Sequence, residues 1–528
     1  MRAIFLTTLV GLLAACGSSA VIDEEPAPPS PVTDSLAAST SARSEAELLR
    51  PYQDAGGVEP AISSASSSAE SSPAKSPALV PLGMTVPLVA WNSEQRAYEL
   101  QLVDPATGNT LPDRLPIGLT ESTSFAPTLA LSPNGSRLAV ITGVGQVCEP
   151  SGIGHACWRA ADGLRLIELR TGREVTAGIP ANPPAKGRVG TLVFSRDGGR
   201  FAIAYHDRIG AKAVLFNSET GQLIGQRALT IQPRLMEFTA DGAWLVIYGS
   251  PLAELPGFTQ PGPPSALLLD GASLELEWSV VLPDILDGDW CYEDCSIDRV
   301  ANSESGRFVS WTPALAFDAV TGRLHIVHAD QDRLTTVDFL ERRAGDQAIT
   351  RGPIWIERLL ALTAEVAEAK YWPEGASKSA VLSPDGAHLY VVGKKFLLSK
   401  NADGDWEGSA QPLGLTVVAI RSGRELIKRE SDASRIRLSA DSRFLILDWE
   451  VDSSIQVLDA ESLEPVGGVE RCCWDVVTSR RLDGQAVLLA IHTSERPYTT
   501  YSAMLAPETF ELLEPWSVSG SAFWVTAP

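Results

Sequence analysis

Two sequence elements that alternate from residue 84 to the C-terminus predict an all-β fold built of repeated four-stranded antiparallel units. The first element is a strand, a turn of the type Ser-x-Asp-Gly and a second strand. It reads LALSPNGSRLAVI (Leu129 to Ile141), LVFSRDGGRFAIAY (Leu192 to Tyr205), MEFTADGAWLVIY (Met236 to Tyr248), SESGRFVSW (Ser303 to Trp311), AVLSPDGAHLYVV (Ala380 to Val392) and IRLSADSRFLILDW (Ile436 to Trp449). A degenerate copy is RLDGQAVLLAI (Arg481 to Ile491). In most copies Asp or Asn caps its own turn through the side chain and Gly supplies the positive φ, and the flanking runs are rich in β-branched or aromatic residues. The second element is an apolar strand, a turn resembling Asp-x-x-Thr-Gly and another strand, as in VLFNSETGQLI, LAFDAVTGRLH and VLDAESLEPV. Two hairpins in alternation make one four-stranded unit, and such units repeated around an axis make a β-propeller.

The alternation resembles the WD-repeat-like propellers of bacterial periplasmic proteins of the SPDG type, as in TolB, over roughly residues 84 to 527. It departs from the eukaryotic WD pattern, because the Gly-His start and the repeated terminal Trp-Asp are missing; Trp474-Asp475 occurs once and out of register. The Ser or Thr opening the clear copies sits at 132, 195, 239, 303, 383 and 439, so the longer steps carry insertions. Seven complete units leave the N-terminal hairpin LQLVDPATGNTL (Leu100 to Leu111) without a partner pair, and the C-terminal SGSAFWVTA (Ser519 to Ala527) is a strand without a unit. Joined, they close an eight-bladed ring and remove its free edges; seven blades is the alternative if one irregular unit is an insertion. The largest insertion, about 331–378, is expected to be helical: Trp355, Leu359, Leu362 and Val366 fall on one helical face between Pro353 and Pro373.

Ahead of the repeats lie a targeting segment and a tether. Arg2 precedes an apolar run, Ile4 to Leu13, too short to span a bilayer and suited to a signal peptide core. It ends in Leu13-Ala14-Ala15-Cys16, which resembles the lipobox of bacterial lipoproteins. That resemblance implies cleavage after residue 15 and a lipid on Cys16, and with Gly17 following the Cys it implies the outer membrane. Residues 16–83 are rich in Ser, Ala, Pro and Glu and cannot bury enough apolar surface to order themselves. As a flexible coil of roughly 65 residues such a tether spans about 45 Å. The expected organisation is therefore signal peptide 1–15, disordered tether 16–83 and propeller 84–528.

With 43 Lys+Arg against 65 Asp+Glu, the formal charge is -22. This argues against nucleic acid, whose phosphates require a basic footprint, and against peripheral binding to anionic lipid. Six cysteines remain after Cys16, an even number suited to an exported protein. Cys148 and Cys157 share one loop, Cys291 and Cys295 another, and Cys472 and Cys473 are adjacent. Local pairing of all three is the simplest of fifteen connectivities, and the sequence leaves the others open. The vicinal pair resembles that of quinoprotein alcohol dehydrogenases, also eight-bladed propellers, but their recurrent motif ending in Gly-Lys-x-x-Trp is absent here.

No metal site is expected. The acidic stretch Asp284, Asp287, Asp289, Glu293, Asp294 and Asp298 and the group Asn401, Asp403 and Asp405 lack the spacing of a calcium loop. His155, His206, His325, His328, His388 and His492 have no zinc-binding spacing, and His325 and His328 would point to opposite faces of a strand. No Gly-x-Ser-x-Gly elbow, phosphate loop or His-Glu-x-x-His occurs, so no catalytic residue or cofactor is assigned. The expectation is a monomeric, membrane-tethered binding scaffold for a protein or glycan at the cell envelope. The rival is a propeller enzyme, quinoprotein-like or a hydrolase or lyase, with its site at the channel mouth. Buried ionisable groups at that mouth would favour the enzyme; exposed aromatics on the loops would favour the scaffold.

Overall fold

The computed structural model describes residues 82–524 apart from connecting segments, the longest of which are 118–128, 176–187, 253–261, 292–307 and 352–373. The chain divides into two compact units, Met1–Ser76 and Pro77–Pro528, and the architecture below is that of the second. It is a β-propeller. Seven four-stranded antiparallel blades are present, and one further sheet is composite, with eight strands. Numbered by ring position, the blades are sheet 1 (86–116 with 522–524), sheet 2 (129–174), sheet 3 (188–229), sheet 4 (231–281), sheet 5 (314–348), sheet 7 (435–469) and sheet 8 (475–519), and the composite is sheet 6 (374–429 with 288–291, 308–312 and 350–351).

Apolar clusters lie between each sheet and the next, so the core is a ring of interfaces. Val246, Tyr248, Leu324 and Phe339 fill the space between sheets 4 and 5. Leu445 and Leu447 of sheet 7 meet Val392 and Val417 of sheet 6. Each such side chain removed from water contributes about 1.5–3 kcal/mol. The second strand of a blade is buried on both faces, as in Trp244–Pro251, while the outermost strand, as in Leu276–Val281, alternates between exposed and half-buried.

The ring closes as the sequence expects. The C-terminal strand Ala522–Trp524 pairs antiparallel with the first strand, Val86–Asn92, placing Leu88 opposite Trp524. Sheet 1 thus contains both ends of the domain, and Leu489 of sheet 8 packs against Val86, Leu88 and Ala522 across the seam.

The region from 303 to 382 departs from expectation. Instead of one plain unit followed by a helical insertion, strands Ala314–Asp318 and Arg323–Val327 pair onward with Arg333–Asp338 and Arg343–Ala348 to make sheet 5. The start of the expected insertion is therefore a β-hairpin. Its burial explains why: Leu334, Val337 and Phe339 are each fully buried in the interfaces on either side. Pro313, which lacks a backbone donor, separates Phe308–Thr312 from the next strand. That displaced strand and its partner Gly288–Cys291 join sheet 6, with Trp311 and Thr312 pairing in parallel with Ala376 and Ser377. Sheet 6 thereby exceeds four strands, and the count of plain four-stranded blades is seven rather than the favoured eight. No α-helix occurs among the described residues; the stripe Trp355, Leu359, Leu362 and Val366 lies outside them.

Candidate functional site at the loop end of the ring

The two ends of the ring are unlike. In each blade the first and third strands run in the same direction, so the Ser-x-Asp-Gly and Asp-x-x-Thr-Gly turns share one end, the turn end. Among the described residues, the two hairpins that depart from the repeat leave at the opposite, loop end. There the hairpin Gly145–Ser151 with Gly154–Ala160 rises from sheet 2. In sheet 6 the 13-residue strand His388–Lys400 pairs within the blade through His388 to Val391, and its far part, Lys394 to Lys400, pairs with Trp406–Pro412. Lys394 to Leu397 remain paired with Glu374 to Ser377 of the inner strand, and Ser399 and Lys400 carry the hairpin beyond it. Gly393 sits where the partner on one side changes from Leu415–Ala419 to Trp406–Pro412, and a Cβ there would lie 2.4 Å from the Ser377 carbonyl oxygen. The displaced strands Gly288–Cys291 and Phe308–Thr312 extend the inner edge of the same sheet.

The turn end is closed by short-range chemistry. In sheet 3 the Ser195 hydroxyl donates to Asp197 at 2.5 Å, the Gly199 amide donates to the same carboxylate at 2.9 Å, and the Arg200 amide donates to Ser195 Oγ at 2.9 Å. These bonds hold Asp197 below the usual carboxylate range, the Ser195 bond foremost. Arg200 then reaches the Gly271 and Gly242 carbonyls of sheet 4 at 2.6 and 2.8 Å, tying one blade's turns to the next.

At the loop end, two buried polar groups position the excursions. Asp287, fully buried, is an ion-pair partner of Arg234 and accepts a hydrogen bond from Tyr248 Oη at 2.9 Å. Its backbone pairs with Gly262 in both directions at 3.1 Å. Burial raises the Asp287 carboxyl while Arg234 opposes the rise, and burial beside that carboxylate pushes the Tyr248 phenol well up. Both carboxylate oxygens are thus taken by protein partners, and the group ties the lead into Gly288–Cys291 to sheet 4.

The second group centres on His328. Its Nε2 lies 2.7 Å from Thr335 Oγ1 and 3.8 Å from Asp346, which pairs with Arg333. Lys378 Nζ donates to the His328 and Gln331 carbonyls at 2.5 and 3.1 Å, joining sheet 6 to sheet 5. Burial lowers His328 to about 4 and also lowers Lys378, with Asp332 and Asp330 opposing the latter. His325 Nδ1 contacts Thr336 Oγ1 at 3.0 Å, and burial lowers it to about 4 as well. Because Thr335 and Thr336 are successive strand residues, the two histidines occupy opposite faces, as the sequence implies. On the inner strand of sheet 4, burial pushes Glu237 up to about 7.

Of the sequence-derived site residues, Cys148 and Cys157 are brought directly opposite each other in their hairpin. Cys291 ends its strand; Cys16, Cys295, Cys472 and Cys473 lie outside the described residues. Of the acidic stretch, Asp287 alone is shown buried, while Asp284 is exposed. Among the described residues no group of three or more His, Cys, Asp or Glu side chains is arranged to hold a metal. Sequence reasoning missed the Asp287 and Lys378 ties; the one available signal was a Lys inside the otherwise small and apolar strand GASKSAVL. The large apolar side chains exposed among the described residues are mostly aliphatic, with Tyr501 the aromatic one.

No family model matches the chain, and no curated protein matches it. Solved structures with similar folds include dihydro-heme d1 dehydrogenase NirN in complex with DHE, 11% identical, with TM-score 0.46 over 84% of this chain and 75% of that one. The Dos1 propeller is 10% identical, with TM-score 0.39 over 75% and 85%. The Cps50 (Swd1) propeller domain of Myceliophteria thermophila is 14% identical, with TM-score 0.38 over 70% and 94%.

Proposed function

We propose that this chain is a lipid-anchored lipoprotein of the cell envelope whose propeller is a binding scaffold, engaging a protein or glycan through the loop end. The observation that carries this reading is the one-sidedness of the ring. The described hairpins that depart from the repeat project from a single end, and Asp287, His328 and Lys378 at that end are engaged in ties between sheets. A rigid frame presenting variable loops is the usual form of a recognition surface. The anchor rests on the Leu13 to Cys16 motif, Gly17 after it supports the outer membrane as the address, and the net charge of -22 argues against nucleic acid as the partner. Within this reading the repeat is of the SPDG type, the composite sheet is an eighth blade enlarged by the displaced strands, and the protein acts as a monomer without a cofactor.

The test places a photo-crosslinking residue at one end or the other in the full chain in native envelopes. Ser409 and Gln411 are exposed on the projecting hairpin, and Val320 and Leu340 are exposed at the turn end. A discrete adduct should form from Ser409 or Gln411 and not from Val320 or Leu340. The same adduct from both ends, or only from the turn end, would reject the loop end as the binding face. In parallel, Cys16→Ser should move the protein from the membrane to the soluble fraction; an unchanged distribution would remove the anchor from the proposal.

A further inference from the structure

The seam where the ring closes carries a contact that the repeat does not require. In the degenerate turn of sheet 8, Arg481 stands where most copies have Ser, and the turn is one residue tighter: Arg481 N donates to Gln485 O, whereas Ser132 N donates to Arg137 O. The lead into sheet 1 docks on this turn, with Leu482 N donating to Thr85 O and Asp483 N to Gly83 O, both at 3.0 Å. The Arg481 guanidinium is consequently enclosed. Nη1 donates to Gln485 Oε1 at 2.6 Å and faces Met84 Sδ at 3.9 Å; Nη2 faces Met504 Sδ at 3.8 Å. Nε is buried and has no partner among the described residues.

Two of the chain's four methionines therefore meet one cation, although Met84 and Arg481 are 397 residues apart. Their exposure differs. Met84 is 39% exposed, Met504 is half-buried against the seam's apolar cluster, and Met236 is 3% exposed in the core of sheets 3 and 4. A thioether is a weak acceptor for a guanidinium, while a sulfoxide oxygen is a strong one.

We propose that Met84 is an oxidation site whose sulfoxide is held by Arg481, so that a peroxide tightens the closing seam of the ring. The oxidant is hydrogen peroxide. A sulfur lone pair forms the S–O bond as the O–O bond breaks, proton transfer releases the second oxygen as water, the sulfur is oxidised by two electrons and the peroxide is reduced. The product oxygen, carried on the partly exposed Met84, accepts from Nη1 where sulfur now makes a long, weak contact. Oxidation of a methionine in a core costs packing; here the partly exposed position of Met84 spares that cost, and the waiting donor sets the sign.

The experiment treats the full chain with hydrogen peroxide, follows each methionine by peptide mass and reads amide hydrogen exchange at residues 83–86 and 481–485. Met84 should oxidise first and Met236 last. Exchange at the seam should then slow by about tenfold, the size of one added hydrogen bond to a charged group. Met84→Leu, which keeps an apolar side chain there, should abolish the slowing, and Arg481→Lys should reduce it while leaving Met84 oxidation intact. Met84→Gln, which carries a carbonyl acceptor, should slow exchange without any peroxide and so reports even if an Arg481 variant folds poorly. Faster or unchanged exchange after selective Met84 oxidation, or unchanged exchange in Met84→Gln, would overturn the proposal.

Discussion

Single residues carry the repeat, and they show where it is under strain. Gly135, Gly198, Gly242 and Gly386 occupy the left-handed position of their turns, with φ between 67° and 69°. In sheet 7 that position is Ser442, at φ 59°. An L side chain there costs about 1–2 kcal/mol, part of which a glycine returns as chain entropy, so Ser442→Gly should stabilise the ring by about 0.5–1 kcal/mol in thermal denaturation. Leu274 and Leu463 sit at φ 62° and 60° in the other turn, but both are buried in interfaces between sheets. Leu274→Gly should therefore have the opposite sign, destabilising by roughly 2–4 kcal/mol, since the lost burial exceeds the relieved strain. Charge behaves residue by residue as well. His325 and His328, lowered from 6.5 to about 4, stay neutral in the fold and gain protons on unfolding; they favour the fold above pH 6.5, and that contribution is lost as pH falls through 4. Glu237, raised from 4.5 to about 7, keeps its proton only in the fold, and its contribution is lost as pH rises through 7. Between pH 5 and 6 each histidine takes up about one proton on unfolding, which lowers stability on acidification, and Glu237 releases about one, which opposes that fall by about 1.4 kcal/mol per pH unit. Glu237→Gln removes that opposing group and should steepen the loss of stability on acidification by about 1.4 kcal/mol per pH unit in urea titrations between pH 5 and 6; an unchanged slope would refute the assignment.

Whole elements were legible where period and turn chemistry agreed and misread where a longer-range choice decided pairing. The Asp caps and glycine φ values of the turns follow from SPDG-like strings alone, as does the closing strand Ala522–Trp524. What a string cannot show is which hairpin a blade adopts. Phe308–Thr312 has the composition of a blade strand, yet Arg333–Asp338 competes for the same sheet and buries Leu334 and Val337 completely. The Asp287 and Lys378 ties were likewise invisible, because each joins segments that become neighbours only after the ring forms. The projecting hairpin of sheet 2 yields a direct test. Cys148 and Cys157 are register partners, and residues opposite one another in an antiparallel pair have Cα atoms about 4.5–5.5 Å apart, within the span of a disulfide. Mass mapping without reductant should recover the Cys148–Cys157 cross-linked peptide. Reduction should loosen the hairpin by roughly 2–3 kcal/mol, the value expected for so short a loop, without melting the ring. Two free thiols in the oxidised protein would refute the pairing.

For the molecule as a whole, stability is distributed around the circle, because an apolar cluster fills each interface between neighbouring sheets. The seam is one such interface, made of the first and last strands rather than of chain-continuous ones. Trp524 lies opposite Leu88 and Phe523 opposite Val89, which brings the C-terminal strand's end and the N-terminal strand's start to the same end of the ring. The order in which the polypeptide visits its sheets is then a matter of gene layout rather than of folding. A circularly permuted ring, with a short glycine-serine bridge from beyond Trp524 back to Leu82 and new termini cut between Lys400 and Trp406 at the tip of the sheet 6 hairpin, keeps every inter-sheet contact described above. It should melt in one cooperative transition within a few degrees of the parent domain. A permutant that failed to fold would mean that the seam must be laid down in its native sequence order, and that this ring, though closed in space, is open in time.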